Sequence, residues 1–240
     1  MNTVNNKLKE LAEKRDCARW CWHEQSMSGA LRQLFEAAVR ELEEEDQRLF
    51  RAFGRAGKWK DEQCQGLAYW VFEHNLVFPI FRAWLPLVHR VTWDECIHRR
   101  KDGRQRESSL DVEVSGGTGR KERGRELIDL VVEPSEGAPP WLFEAKWWAY
   151  GKAESVLGED ANRLRPPVAG DGQGYLLTFW YGADGELARD LERAAADATE
   201  LRLEMLFVGV FPTHVYTWWD KHDKKEGTGY FALVVFGVGP

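Results

Sequence analysis

The chain has 240 residues, 43% hydrophobic and 30% charged, with 12 Trp, 12 Phe and 6 Tyr, a supply of rings that fits a folded core and excludes a disordered polymer. Against 39 Asp and Glu stand 33 Lys and Arg, a formal charge of −6, so any contact with a polyanion must be made by a local basic patch. No run of 18 apolar residues occurs and Cys number four, which predicts neither a membrane span nor a disulfide scaffold.

The segment MNTVNNKLKELAEKR lacks the apolar stretch of a secretory signal, and the expected setting is a reducing cytoplasm. The length suits one α/β domain, or a domain of about 150–180 residues with an appendage. In chain order, Leu8, Leu11 and Ala12 predict a helix over residues 4–20. Leu31, Leu34, Phe35, Ala38, Val39, Leu42, Leu49 and Phe50 predict another over 28–53, with Ser28 as its cap. The acidic run Glu43, Glu44, Glu45 and Asp46 reads as a solvated helix face. A third helix is expected from about residue 61 through His74, with Pro79 and Pro86 breaking the helical pattern beyond it.

Strands are then expected at 88–98, 110–114, 127–133 (LIDLVVE) and 141–148 (WLFEAKWW). Pro134, Gly137, Pro139 and Pro140 make the last connection tight. Beyond lie a helix at 153–165, a strand at 174–181, a helix at 186–201, and strands at 204–211 and 230–238. A meander followed by helix–strand units predicts an α/β fold, a mixed β-sheet core flanked by helices. The main domain is expected at 59–240, preceded by an N-terminal helical extension at 1–58.

Three charges interrupt the apolar strands. Asp129 sits among Ile128, Leu130, Val131 and Val132, and Glu144 and Lys146 lie between Phe143 and Trp147. Residues two apart in a strand share a face, so Glu144 and Lys146 are neighbours. A buried, unpaired carboxylate costs several kcal/mol, roughly 3–5 when one partner of a buried pair is removed, so a lysine or a metal should compensate. An isolated Glu-x-Lys is ordinarily an edge strand facing water. An aspartate in the preceding apolar strand, a tight turn and then Glu-x-Lys is a much rarer combination.

That combination resembles the PD-(D/E)XK nuclease superfamily, which includes restriction enzymes, junction resolvases and phage exonucleases. Here it reads Ile128-Asp129, then Glu144-Ala145-Lys146, with Ile where the pattern has Pro. The resemblance spans about residues 61–181 and implies a restriction-endonuclease-like core of helix, three-stranded meander, helix and strand. It implies a metal-dependent nuclease in a bacterial or phage setting of restriction, repair or defence. Asp129 and Glu144 would hold Mg²⁺ or Mn²⁺ with the carbonyl of Ala145, and Lys146 would orient the attacking water. Glu73, or else Glu62, would be a first-helix acid, and Asp160 and Arg163 match the acid and base that the family often carries on its second helix.

DNA is the expected partner, with RNA as the alternative. Arg99, Arg100, Lys101, Arg104, Arg106, Arg120, Lys121, Arg123 and Arg125 crowd the approach to Asp129, forming either a phosphate-gripping flap or a solvated hairpin. Arg163 is a further substrate candidate. Trp93, Trp147, Trp148 and Trp180 offer stacking platforms or core packing. The N-terminal helices are expected to serve dimerisation, a protein partner or regulation. Cys17, Cys21 and His23 make an incomplete zinc pattern, and Gly116, Gly117 and Gly119 lack the Lys-Ser/Thr ending of a P-loop. Two rival readings remain. One is a catalytically inactive nuclease-fold binding module; the other is an α/β interaction protein with Glu144 and Lys146 exposed and far from Asp129.

Overall fold

The computed structural model describes residues 20–25, 27–53, 73–98, 125–147, 153–165, 172–183, 187–220 and 223–239. Seven strands form one mixed sheet: β1 (Trp20–His23), β2 (Arg90–His98), β3 (Arg125–Glu133), β4 (Trp141–Trp147), β5 (Gln173–Ala183), β6 (Leu203–Asp220) and β7 (Asp223–Val238). The described helices are α1 (Gly29–Phe53), α2 (Glu73–Trp84), α3 (Ala153–Leu164) and α4 (Leu187–Glu200). The spatial order is β1-β6-β7-β5-β4-β3-β2. Every neighbouring pair is antiparallel except β4 and β5, which are parallel and joined through α3, as a parallel pair requires a crossover. The expected mixed sheet flanked by helices is therefore present.

Two apolar layers sandwich the sheet. On one face, α1 and α2 bury Leu34, Phe35, Val39, Leu42, Leu76, Ile80 and Trp84 against Leu130, Phe143, Tyr175, Phe207 and Leu233. Phe35 lies at the centre, its ring meeting those of Trp84, Phe143, Tyr175 and Phe207. On the other face, α3 and α4 bury Leu157, Ala161, Leu164, Leu191, Ala194 and Ala198 against Leu142, Leu176, Trp180, Val208 and Val234. Each such Leu or Phe side chain stabilises the fold by about 1.5–3 kcal/mol. The helical periods in the sequence correspond to these inward stripes. Residues 20–53, assigned from sequence to the extension, supply an edge strand and a covering helix to the same sandwich.

Ser28 caps α1, its Oγ accepting the Leu31 N–H at 3.3 Å. The outer face of α1 carries Arg48, paired with Glu41, Glu44 and Glu45, while Arg82 of α2 reaches Glu41 and Glu45. Such exposed pairs contribute about 0–1 kcal/mol each. The acidic run is not wholly solvated: Asp46 is buried.

Several elements differ from expectation. Trp20, Cys21 and His23 form a strand paired with β6 and not a helix end, so Cys21 has no helical face to share with Cys17. The helix expected to stop at Pro79 continues through it to Trp84. Proline costs about 3 kcal/mol inside a helix, and burial of Leu76, Val77, Ile80 and Trp84 around it offsets that. The strand expected to end at 211 runs to Asp220, because Pro212 falls at a register shift where the ladder asks no N–H of it. Its partner β7 correspondingly begins at Asp223 instead of near 230. Trp180 is buried, and Trp147 packs on Tyr181 and Phe231, so both are core rings. Trp93 is half-buried against Phe78 and Phe81. The helix expected at 4–20 (residue 20 apart), the third-helix segment 61–72, the strand at 110–114 and Trp148 lie outside the described residues. No helix among the described residues is long and apolar enough to cross a membrane.

Candidate active site

Strand β4 is interior, between β3 and β5. Its alternation turns Phe143 and Ala145 into the layer of α1 and α2 and Leu142 into the layer of α3 and α4. Glu144 and Lys146 therefore face α3. The expectation of an exposed edge strand fails here, because Glu144 is only 1% exposed.

The β3–β4 ladder pairs Val132 with Trp141, Val131 with Leu142 and Leu130 with Phe143. One further step in that register sets Asp129 opposite Glu144. At that step a side chain enters the ladder: the Ala145 N–H donates to Asp129 Oδ2 at 2.7 Å. Strand regularity also breaks there. Ile128 and Leu130, two apart, fall into opposite apolar layers, whereas strict alternation would keep them on one face.

Helix α3 brings the remaining groups. Asp160 and Arg163 are three residues apart and so share one helix face. The Arg163 guanidinium donates through Nη2 to Glu144 Oε1, and its Nη1 lies 3.3 Å from Asp160 Oδ1. Lys146 Nζ lies 3.5 Å from Asp160 Oδ2, an ion pair longer than a hydrogen bond. Asp160 is itself buried, and its Oδ2 has no hydrogen-bond partner. Close approach of α3 to the sheet depends on Gly174 of β5, where an added Cβ would stand 2.7 Å from the Leu164 carbonyl oxygen.

Three carboxylates thus face two cations. Burial pushes the Glu144 carboxyl up from its ordinary 4.5 to about 8, and the Asp129 charge adds to the rise; Arg163 pulls the other way without cancelling it. Burial likewise raises the Asp160 carboxyl against the pull of Lys146 and Arg163. For Arg163 burial disfavours the charge, but Glu144 and then Asp160 outweigh it, so the guanidinium is held more firmly protonated than usual.

The acid excess and the unsatisfied Asp160 oxygen suit a site short of positive charge. Among the described residues, no three His, Cys, Asp or Glu side chains are grouped to hold a metal together. What is on offer is a pair of carboxylates, Asp129 and Glu144, beside the peptide carbonyl of Ala145. That set fits magnesium, which is commonly held by one or two carboxylates and keeps several waters.

Glu73 is the first described residue of α2, over the opposite face from α3; its side chain and Glu62 lie outside the described residues. The same holds for Arg99, Arg100, Arg120, Lys121 and Arg123. Arg125 begins β3 in register with His98. Arg163, expected on the substrate, is engaged with Glu144 and Asp160 instead. The Lys146–Asp160 pair was signalled in sequence only by an Asp-x-x-Arg spacing on the helix after Glu-x-Lys. No protein-family model, curated protein or solved structure matches the chain.

Proposed function

We propose that the chain is a metal-dependent nuclease that hydrolyses phosphodiester bonds, in DNA first and RNA as the alternative. The observation that carries this reading is the buried Glu144 beside Lys146 on an interior strand, with Asp129 on the neighbouring strand bonded to the peptide between them. The element order α2, β2, β3, β4, α3, β5 supports a restriction-endonuclease-like core.

In this reading Asp129, Glu144 and the Ala145 carbonyl hold Mg²⁺ or Mn²⁺, which when bound supplies charge neutralisation at the phosphoryl group and acidifies water. Asp129 fixes the backbone of Ala145 and so sets the angle at which Glu144 and Lys146 leave the strand. Asp160 restrains the Lys146 ammonium, leaving its donors to orient the attacking water and to meet charge developing on phosphoryl oxygens. Burial of Glu144 excludes bulk water from one side of the reacting group.

A second reading, a non-catalytic binding module, is favoured by one observation: Arg163 already supplies Glu144 with a cation. Cleavage of linear, circular, branched and single-stranded DNA and of RNA, with Mg²⁺, Mn²⁺ or EDTA, separates the two. The nuclease reading expects metal-dependent cleavage that Lys146→Ala or Asp129→Ala abolishes. Full activity in EDTA would sink the metal mechanism, and binding without cleavage in every metal would favour the module.

A further inference from the structure

We infer that Arg163 is the resident counter-ion of this site: its guanidinium bridges Glu144 and Asp160 in the metal-free protein and leaves Glu144 when a divalent cation enters. The inference rests on the nuclease reading and adds to it a competition between an internal cation and the metal.

Glu144 is 1% exposed, and a carboxylate so enclosed demands a cation or a proton. Lys146, its neighbour on the strand, is directed to Asp160. Arg163 fills the gap from another element, and its planar fork serves two acids at once through Nη2 and Nη1. The two ends of this bridge differ in kind. Asp160 lies on the same helix as Arg163, so that contact persists when the helix stays docked. Glu144 lies on the sheet, and that contact opens by side-chain rotation alone. The Arg163 side chain is 36% exposed, which leaves it a path to water. A metal and a guanidinium cannot share Glu144 Oε1, because like charges at contact distance repel. Cation entry therefore exchanges one positive charge for another and leaves Arg163 tethered to Asp160.

The test uses the full chain and Mn²⁺ as probe, following free Mn²⁺ by electron paramagnetic resonance, with thermal melts in EDTA alongside. Arg163→Met is expected to bind Mn²⁺ more tightly than the parent, on the order of tenfold, yet to melt lower in EDTA and recover when Mn²⁺ is added. Arg163→Lys, which keeps the charge but loses the fork, is expected to fall between them, and it serves as the test if Arg163→Met does not fold. Arg165→Met removes the same charge two residues away, where the side chain bonds the Asn162 side chain and the Leu201 carbonyl, and is expected to leave affinity unchanged. Equal or weaker Mn²⁺ binding by the Arg163 variants, or an equal gain in Arg165→Met, overturns the counter-ion role while parental cleavage keeps the nuclease reading alive. Absence of both Mn²⁺ binding and cleavage in every variant overturns both.

Discussion

Replacing Glu144 with Gln isolates the energetic consequence of placing a carboxylate under α3. In the metal-free fold this carboxyl rises from 4.5 to about 8, first through burial and then through Asp129. Between those values the folded state holds a proton that the unfolded chain has released. Stability therefore falls as pH rises from 4.5 to about 8 and levels off above it. At about 1.4 kcal/mol per pH unit, the ceiling is on the order of 5 kcal/mol. For a chain of this size each kcal/mol moves the melting temperature by about 2–4 °C. Thermal melts in EDTA at pH 5.5 and 8.5 should show the parent losing several degrees at the higher pH. Glu144→Gln should lose much less, with a residual slope from Asp160, whose carboxyl is also raised. Parallel pH profiles for the two proteins would refute the assigned cause.

Packing gives two further expectations. An added Cβ at Gly209 of β6 would stand 2.3 Å from Val39 Cγ2 of α1 and 2.9 Å from the Phe207 ring, so Gly209→Ala should destabilise by about 1–3 kcal/mol, and Val39→Ala in the same chain should restore part of that in chemical denaturation. Ser28→Ala removes the acceptor for the Leu31 N–H and should cost about 1 kcal/mol, with no effect on metal binding.

How far the sequence anticipates this molecule depends on the range of the interaction. The stripe of Leu34, Phe35, Ala38, Val39 and Leu42 announces α1, because a helix meeting one surface must repeat its apolar side chains every three or four residues. Alternation in WLFEAKWW likewise sorts Glu144 and Lys146 onto one face before any partner is known. Proline misleads: Pro79 and Pro212 read as stops, yet one sits in a helix held by burial and the other at a β-bulge. The acids at 43–46 look alike in sequence, and only the packing of α1 separates the buried Asp46 from its neighbours.

The site shows the same division. Asp129, Glu144 and Lys146 are conspicuous as charges in apolar strands. Their partners are not, since Arg163 and Asp160 reach the sheet only because the β4–α3–β5 crossover lays α3 over it. The bond from Ala145 to Asp129 departs from regular strand geometry and has no periodic signal. Net charge was the least informative guide. An average of −6 conceals both the basic run from Arg99 to Arg125 and the acids gathered under α3.

The central claim, that Asp129, Glu144 and Lys146 form a hydrolytic site, is tested most directly by incubating purified protein with end-labelled DNA in Mg²⁺ or Mn²⁺ beside Lys146→Ala. The account predicts cleavage by the parent, none in EDTA, and none by a variant that still melts cooperatively. Equal cleavage by parent and Lys146→Ala would contradict it, as would intact DNA in both metals.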